Sequence, residues 1–467
     1  MVPACSGEGA GAKPGRGLWT HRPQATSHKP PIIKVVASSF FIQNFGCRAT
    51  QADGAALAAS LVEKGFEAAG RERAGLVVLN TCTVTSSADE DVRQEVRRIR
   101  RLNPSARILV TGCYAQRAPE EVAALPGVDW VVGNSHKAQI PELVAEGASC
   151  HGQIQVGDIF AQQEFLAAVV EDAAGDRTRP NLKIQDGCGN RCSFCIIPFV
   201  RGRSRSARPD WVVEQVRHLG LRYREVVLSG INLGRWGRDL DGGRLRLAGL
   251  LRRLLEETEI QRLRLSSVEP MDLSDELLGL VAASPRIARH IHAPLQTGSD
   301  NVLRRMRRWY RARHYEDRIR KVRAAMPEAA IGADVMVGFP GETDQEFEEN
   351  RAFIEGLPFT YLHVFTYSER PGTPAASAPG RVPKPIRKQR NRILRELAVR
   401  KNLEFRRRML GRRLSVITLE QPGVALSDNY VKVELAAPRK PNRLCDIEIG
   451  GLSAAGLREQ TPFPILG

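Results

Sequence analysis

Three closely spaced cysteines constrain this sequence more than any other feature. Within the stretch 183–206, Cys188, Cys192 and Cys195 follow a C-x3-C-x2-C spacing. Three thiolates this close together can hold three irons of an iron–sulfur cube, which leaves the fourth iron open for chemistry. No cysteine occurs between Cys195 and Cys445, so the usual fourth ligand of an electron-storing cluster is missing. A zinc site is the alternative, although structural zinc normally takes four protein ligands.

Length and charge set the class of protein. A chain of 467 residues is too long for one hydrophobic core and predicts several domains. The formal net charge of +17 favours a polyanionic partner, with nucleic acid ahead of a membrane because no basic amphipathic anchor stands out. No apolar run reaches the roughly 18 residues of a membrane helix, so we expect no membrane contact.

Cysteine usage and the first residues bear on the compartment. Nine cysteines, an odd number, occur without a secretory signal, which predicts a reduced, cytoplasmic protein with metal-binding or catalytic thiols. Residues 1–33 are rich in Gly, Pro, Ala and Ser. We expect this tail to be disordered or to precede the native start, and Cys5 within it not to be a ligand.

The segment 34–160 alternates strands and helices, which predicts a domain with a parallel sheet. Three of its strands end at or just before a cysteine, namely Cys47, Cys82 and Cys113. In an open α/β sheet the carboxyl ends of the strands form the ligand-binding edge, so these thiols should meet in a second three-thiolate site. Each cysteine alone would more often be a small buried hydrophobe, but three at equivalent positions favour a site.

Four motifs together resemble the radical S-adenosylmethionine (SAM) methylthiotransferase family over about residues 39–460. They are NFGCRATQAD (44–53), NTCTVT (80–85), TGCYAQ (111–116) and the cysteine loop 188–195. The resemblance implies two 4Fe–4S clusters. Cys188, Cys192 and Cys195 would hold the cluster that cleaves SAM to a radical. Cys47, Cys82 and Cys113 would hold an auxiliary cluster that carries the sulfur to be transferred.

The same resemblance bears on three single residues. It implies that Phe194, the aromatic residue before the third cysteine, lies near the adenine of SAM. Thr50 stands where relatives commonly have Asn, so any contact specific to Asn is in doubt, although we expect the cluster to form. Cys150 has no counterpart in the family, and we expect it to be structural.

Residues 178–375 predict a radical-SAM core with the fold of a partial (β/α)6 TIM barrel. Strands are expected near 181–186, 224–230, 262–268, 290–295, 331–338 and 361–368, with helices between them. The chemistry of such a barrel lies at the carboxyl ends of its strands, and the cysteine loop follows the first one. The segments 228–234, 266–270 and 292–300 follow later strands and resemble the SAM-contacting segments of the family. The residues implied as SAM ligands are Ser229, Gly230, Ser266, Glu269 and Gln296.

Two arginine-rich stretches are candidates for substrate binding. Arg201, Arg203 and Arg205 directly follow the cysteine loop, and we expect them to bind substrate at the mouth of the barrel. The stretch 303–313 interleaves six arginines with one Trp and one Tyr, a composition suited to phosphates and stacked bases. A solvated charge run is the alternative for this second stretch.

The C-terminal part predicts a separate module. Residues 376–410 comprise a linker and a basic helix, and 411–467 change to short alternating strands. The latter resemble the small TRAM β-barrel with which family members hold tRNA. Cys445 lies in one of these strands, and we expect it to pack there.

The resemblance is greatest to the branch that modifies N6-threonylcarbamoyladenosine. It implies 2-methylthiolation of this base next to the anticodon, with the tRNA anticodon stem-loop, a flavodoxin- or ferredoxin-type electron donor and a sulfur donor as partners. Other branches modify isopentenyladenosine in tRNA or an aspartate of a ribosomal protein. A non-catalytic iron–sulfur RNA-binding protein and a zinc-dependent RNA-binding module remain open. The difficult steps belong to the cofactors, so no general acid or base is expected.

Overall fold

The computed structural model describes residues 39–147, 152–162, 165, 170, 178–454 and 456–461. All of them belong to one compact unit, residues 36–467. The predicted tail 1–33 with Cys5, and Cys150, lie outside the described residues. Among the described helices, none has both the length and the apolar character needed to cross a bilayer.

The first domain is built on a six-stranded sheet with the strand order β2-β1-β3-β4-β5-β6 and parallel pairing throughout. The strands are β1 (Ser39–Asn44), β2 (Glu67–Ala68), β3 (Leu76–Thr81), β4 (Arg107–Gly112), β5 (Trp130–Gly133) and β6 (Gln153–Gln155). The helices are α1 (Arg48–Glu63), α2 (Ser86–Leu102), α3 (Cys113–Arg117), α4 (Pro119–Ala123) and α5 (Ile140–Glu146). Apolar cores lie on both faces of the sheet, and β3 is buried along its whole length, as in other doubly covered parallel sheets. The predicted α/β sheet is confirmed.

Helix α2 shows how local sequence fixes these elements. The Thr85 side chain accepts a hydrogen bond from the Ala88 N–H, which satisfies one of the free donors at the helix start. Val92, Val96 and Ile99 recur at helical spacing and are buried against the sheet. The loop that carries Cys82 is therefore held between a buried strand and a capped helix.

The middle domain is the predicted partial barrel. Its strands are β7 (Asn181–Asp186), β8 (Arg205–Ser206), β9 (Glu225–Gly230), β10 (Arg262–Leu265), β11 (His290–His292), β12 (Ala330–Val337) and β13 (Tyr361–Thr366). Its helices are α6 (Ile197–Arg201), α7 (Pro209–Arg222), α8 (Leu247–Glu257), α9 (Asp275–Ala283), α10 (Asp300–Arg305), α11 (Ala312–Ala325) and α12 (Asp344–Gly356). The strands pair as β10-β9-β7-β8 and β11-β12-β13, and a parallel bridge between Leu263 and Ile287 links the two rows. Only the short β8 pairs antiparallel in this domain, so six parallel strands alternate with helices as expected.

The C-terminal module begins with the long helix α13 (Lys384–Arg407), whose Leu394 and Leu397 pack into the core of the middle domain. A closed five-stranded barrel follows, in the order β14-β15-β16-β18-β17, which confirms the predicted small β-barrel. Its strands are β14 (Arg413–Thr418), β15 (Val424–Ser427), β16 (Lys432–Glu434), β17 (Leu444–Leu452) and β18 (Leu457–Glu459). Cys445 is half-buried in β17.

The small barrel packs against the amino ends of the middle-domain strands. Arg264 in β10 donates to the backbone oxygens of Ser427 and Asp428, and Arg289, just before β11, pairs with the Asp428 carboxylate at 2.6 Å. Glu225, the first residue of β9, anchors Arg264 at 2.7 Å. The small barrel therefore lies at the end of the middle domain opposite to the cysteine loop.

Candidate functional site

The three cysteines of the first domain lie at the carboxyl ends of neighbouring strands. Cys47 caps the start of α1 after β1, Cys82 directly follows β3, and Cys113 directly follows β4. Gly46, at φ +94°, allows the first two loops to approach, because a Cβ there would lie 2.6 Å from the Cys82 Cβ. The structure brings the three strand ends together as the sequence pattern predicts, and we name these cysteines the sheet triad.

The thiols of the sheet triad influence one another. Burial and the nearby Cys113 thiol raise the pKa of Cys82 to about 12. Cys47 Sγ lies 3.5 Å from Thr50 Oγ1, and Asn134 Nδ2 lies 3.6 Å from Cys113 Sγ. All three cysteines are free, so the site offers three converging thiols, the donor set that suits an iron–sulfur cluster with one open iron.

Cys188, Cys192 and Cys195, named here the loop triad, lie in the connection between β7 and α6 and line one cavity of about 210 Å³. The Asn190 N–H donates to Cys188 Sγ at 3.4 Å, and Arg308 Nη1 donates to Cys192 Sγ at 3.3 Å. Burial and the Cys192 thiol raise the pKa of Cys195 to about 12. Hydrogen-bond donors directed at sulfur stabilise thiolate ligands, so the loop triad also fits an iron–sulfur cluster.

The loop triad is fixed by the chain on both sides. Ser193 donates from its N–H to the Met306 carbonyl at 3.0 Å, and its carbonyl accepts from the Ala375 N–H at 2.8 Å. Phe194 packs against an apolar cluster that includes Met306 and Phe339. These contacts tie the loop to segments that follow β11 and β13, at the mouth of the partial barrel.

The two triads are linked by packing. Cys113 lies in a buried cluster with Ile196, the residue after the loop triad, and with Val200 in α6. Helices α3 and α6, which begin at or just after the two triads, lie against each other. The sheet edge of the first domain therefore faces the cysteine loop of the second.

Several predicted SAM ligands lie where a polar molecule could be bound. Among the residues that the structure describes, Ser229 Oγ, Ser266 Oγ and Asn232 Oδ1 are buried without a hydrogen-bond partner. Buried polar groups are normally bonded, so these atoms fit a polar ligand such as SAM. Asn232 was not predicted. Its Nδ2 also lies 3.8 Å from Cys188 Sγ, which places it beside the loop triad.

The remaining predicted SAM ligands have strained or charged surroundings. Gln296 has a positive φ of +67°, a backbone conformation that is uncommon for a non-glycine residue. The Gln185 side chain packs closely against the backbone of Gly230, where an added Cβ would lie 2.8 Å from Gln185 Oε1. Glu269 forms an ion pair with Arg308, which also donates to Cys192. These roles in SAM binding stay predictions.

Arg308 is a site residue that the sequence reasoning missed. Its side chain is 3% exposed, and its guanidinium lies over the Tyr310 ring at 4.9 Å. The only signal was its place among six arginines in 303–313, and nothing in that stretch distinguishes it from its neighbours. Tyr310 is buried, while Trp309 is 50% exposed, so only the latter could stack on a base.

The three arginines predicted to bind substrate have different environments. Arg201 is 2% exposed and pairs with Asp53 and Asp186, both at 2.9 Å. Arg205 is buried and donates to the Arg201 carbonyl at 2.9 Å. Arg203 alone is exposed and lines the cavity of the loop triad. We therefore retain only Arg203 as a candidate for contact with substrate, because the other two guanidinium groups are directed at protein atoms.

Comparison with known families matches two parts of the chain. Residues 39–133 match the uncharacterized protein family UPF0004, and residues 182–354 match the radical SAM superfamily. The first range contains the sheet triad and the second contains the loop triad.

Relatives align over most of the chain. The threonylcarbamoyladenosine tRNA methylthiotransferase MtaB of Aquifex aeolicus is 36% identical over 413 residues, which cover 87% of this chain and 99% of that protein. The protein of the same name from Bacillus subtilis is 38% identical, over 83% of this chain and 88% of the relative. The tRNA-2-methylthio-N(6)-dimethylallyladenosine synthase of Saccharopolyspora erythraea is 34% identical, over 82% of this chain and 79% of the relative.

Among solved structures, the radical S-adenosylmethionine methyltransferase TsrM of Kitasatospora setae, with cobalamin and a [4Fe–4S] cluster bound, has a similar fold. The TM-score is 0.55 at 16% identity, over 73% of this chain and 77% of that one. At this identity the likeness concerns the fold alone.

Proposed function

The chain belongs to the radical-SAM methylthiotransferase family, and from this premise we propose that it converts N6-threonylcarbamoyladenosine in tRNA to the 2-methylthio derivative. The observation that supports a two-site reaction is the packing of Cys113 against Ile196 and Val200, because it joins the two triads. The choice of base follows the activity named for the Aquifex aeolicus and Bacillus subtilis relatives.

Enzymes of this family use SAM and two 4Fe–4S clusters. We assign one cluster to the loop triad and the other to the sheet triad. When bound, these groups supply the reductive cleavage of SAM and the sulfur that is transferred to the base. The chain itself positions these groups.

The residues around the loop triad bind and orient. Ser229, Ser266 and Asn232 offer unpaired polar atoms to SAM. Arg308 contacts both Cys192 and Glu269, and so links the cysteine loop to a proposed SAM ligand. The N–H groups and side chains that donate to sulfur stabilise the thiolate charge of Cys188 and Cys192.

We assign tRNA contact to two regions, and we take the anticodon stem-loop as the part of the tRNA that is bound. Arg203 lies at the cavity of the loop triad, where it could reach a phosphate or the carboxylate of the threonylcarbamoyl group. The basic helix α13, which runs from the carboxyl end of β13 at Arg387 to the small C-terminal barrel at Arg406, offers a second contact together with that barrel. The net charge of +17 supports binding to a polyanion.

The reaction needs two further partners. Because SAM cleavage consumes an electron, we propose a flavodoxin- or ferredoxin-type protein as the donor. Because the transferred sulfur is consumed, we propose a separate sulfur donor that reloads the sheet triad. We place the protein in the cytoplasm, with its tRNA substrate.

Mass spectrometry of tRNA nucleosides from a deletion strain tests the proposal. We expect loss of the 2-methylthio-threonylcarbamoyl nucleoside, accumulation of its unmodified precursor, and recovery on return of the wild-type gene but not of a Cys82→Ala variant. Normal levels of that nucleoside in the deletion strain would contradict the proposal.

The same nucleoside measurement distinguishes the proposed function from a second candidate, the methylthiolation of dimethylallyladenosine. The relative from Saccharopolyspora erythraea is named for dimethylallyladenosine, and its identity of 34% is close to that of the MtaB proteins. Loss of only the methylthio-dimethylallyl nucleoside would transfer the assignment to that branch. Normal levels of both nucleosides would point to the ribosomal-protein branch. A reconstituted protein that cleaves no SAM would favour a non-catalytic RNA-binding role.

A further inference from the structure

Five buried charged side chains join the first two domains beside the sheet triad. We name them the bridging charge cluster: Asp53, Lys137, Lys183, Asp186 and Arg201. Their side chains are between 2% and 11% exposed. Two come from the first domain and three from the middle domain. Of the five, only Arg201 was a predicted site residue, and its predicted role was substrate binding.

Arg201 is the centre of this cluster. It donates to Asp53 and to Asp186 at 2.9 Å each, so one guanidinium bridges carboxylates of two domains. Lys183 lies 2.8 Å from Asp186 and also pairs with Asp53, and Lys137 pairs with Asp53 at 3.1 Å. Burial alone would raise the pKa of Asp53, but the three surrounding cations hold it well below its usual value, so this carboxylate stays ionised.

Basic side chains outnumber carboxylates in this cluster. Within the part of the chain that the structure describes, three basic groups face two carboxylates, and burial lowers the pKa of one of the three, Lys137. A buried charge is costly unless an opposite charge lies nearby. At the loop triad, by contrast, Arg308, which donates to Cys192, is paired with the Glu269 carboxylate.

The thiols of the sheet triad lie beside the Arg201 end of this cluster. Arg201 Nη2 lies 3.5 Å from Thr50 Oγ1, which itself lies 3.5 Å from Cys47 Sγ. Val200, the residue before Arg201, packs against Cys113. Burial would lower the pKa of Arg201, yet Asp186, Cys113, Asp53 and Cys47 together raise it well above its usual value. The guanidinium is thus coupled to the same thiols that would hold a cluster.

We infer that Arg201 is a positioning residue whose charge, fixed by Asp53 and Asp186, raises the reduction potential of the cluster at the sheet triad. One-electron reduction adds a negative charge to a cluster, so a fixed buried cation nearby favours the reduced form. The inference rests on the proposed function only in that it places a cluster on Cys47, Cys82 and Cys113.

The test is an EPR-monitored redox titration of the full-length, reconstituted protein. A background in which Cys188, Cys192 and Cys195 are replaced by Ala leaves one cluster to observe. In this background, R201M should shift the midpoint potential to a more negative value, because a positive charge is lost. R201K should stay closer to the parent, because the charge is kept. D53N should shift the potential in the opposite direction, because a negative charge is lost.

Shifts of the midpoint potential in opposite directions for R201M and D53N distinguish an effect of charge from an effect of structural damage. Both substitutions damage the same buried network, so a merely structural role would move the potential in one direction or only lower the iron content. The matched control is R264M, which breaks a comparable buried ion pair with Glu225 at the other end of the middle domain. It should lower the melting temperature and leave the potential unchanged.

Equal potentials in R201M and its parent, or shifts of the same sign in R201M and D53N, would overturn the inference. If R201M binds no iron, the potentials of R201K and D53N still test the inference. R201K keeps a positive charge at this position, and D53N keeps Arg201 itself. A background protein that binds no iron would instead contradict the placement of the cluster, and with it the proposed function rather than the role of Arg201 alone.

Discussion

The two triads reach similar donor sets by different routes. The loop triad comes from one connection between β7 and α6, and its geometry is fixed by short contacts such as those of Ser193. The sheet triad takes one thiol from each of three strand ends, so it exists only once the parallel sheet has formed. A site within one loop can tolerate change in distant elements, whereas a site spread over a sheet edge depends on the register of every strand.

The polar surroundings of the triads differ in the same way. Groups that donate to sulfur, including the Asn190 N–H and Arg308, lie directly on the loop triad. The sheet triad has longer contacts with the side chains of Thr50 and Asn134, and the buried charge of Arg201 lies behind Thr50. The loop triad therefore has hydrogen-bond donors in direct contact with its sulfur atoms, one of them the buried cation Arg308, whereas Arg201 reaches the sheet triad only through Thr50.

The strongest way to separate the triads is to remove one ligand from each. We expect Cys195→Ala to abolish SAM cleavage, and Cys82→Ala to retain some cleavage but transfer no sulfur, because only the loop triad has the predicted SAM ligands beside it. Chromatography with mass spectrometry of 5′-deoxyadenosine and of the modified nucleoside measures both activities. Each variant should keep about four of the roughly eight irons expected from two cubes.

Complete loss of SAM cleavage in Cys82→Ala, with the iron of the loop triad retained, would contradict this division. The iron count provides the control for folding, since a variant that has lost both clusters reports a general collapse rather than the role of one thiol.

The second prediction uses glycines to damage one triad without touching a ligand. Gly46→Ala should prevent loading of the sheet triad, because the new Cβ would lie 2.6 Å from the Cys82 Cβ at a backbone φ of +94°. Gly189→Ala is the matched control in the loop triad, where an added Cβ meets nothing within 4 Å. Iron analysis should show about half the iron in the first variant and full iron in the second. Equal iron in both would mean that the sheet-triad loops adjust more freely than the packing indicates.

The same contrast explains what could be predicted from the sequence. The loop triad follows from spacing alone because its ligands are neighbours in the chain. The sheet triad follows from one added rule, that the carboxyl ends of parallel strands meet at one edge, applied to Cys47, Cys82 and Cys113. Strand and helix alternation was sufficient to predict both α/β domains, since buried parallel strands such as β3 are continuous apolar runs.

Charged residues could not be assigned in this way. Arg201 follows the cysteine loop and was expected to bind substrate, but its partner Asp53 is 148 positions away in the chain. Arg308 lies among similar arginines, and only its burial and its contact with Cys192 distinguish it. Composition gives the number of cations, whereas the tertiary structure decides which are paired inside the protein and which face a substrate.

The third prediction concerns the ion pair that supports the loop triad. Arg308→Met should lower the free energy of unfolding by about 3 kcal/mol, because it leaves the Glu269 carboxylate without its partner. It should also slow SAM cleavage while leaving the iron of the sheet triad in place. Chemical denaturation and 5′-deoxyadenosine formation measure the two effects.

A double-mutant cycle provides the control for this pair. Glu269→Gln combined with Arg308→Met should cost less than the two single changes together, since the second substitution removes the charge that the first left unpaired. Additive losses would show that the pair contributes no coupling and that Arg308 acts through its contacts with Cys192 and Tyr310 instead.

The smallest effect is expected at Thr50, whose side chain lies between the sheet triad and the bridging charge cluster. Thr50→Val keeps the shape of a fully buried side chain and removes the hydroxyl that lies 3.5 Å from both Cys47 Sγ and Arg201 Nη2. We expect a loss of about 1 kcal/mol in the free energy of unfolding, typical of one hydrogen-bonding group, with iron content and SAM cleavage unchanged. Denaturation of the reconstituted protein measures the first quantity and iron analysis the second. Loss of iron from the sheet triad alone would mean that the hydroxyl supports the cluster directly. The contact between Thr50 and Cys47 would then matter for cluster binding as the direct contacts of the loop triad do.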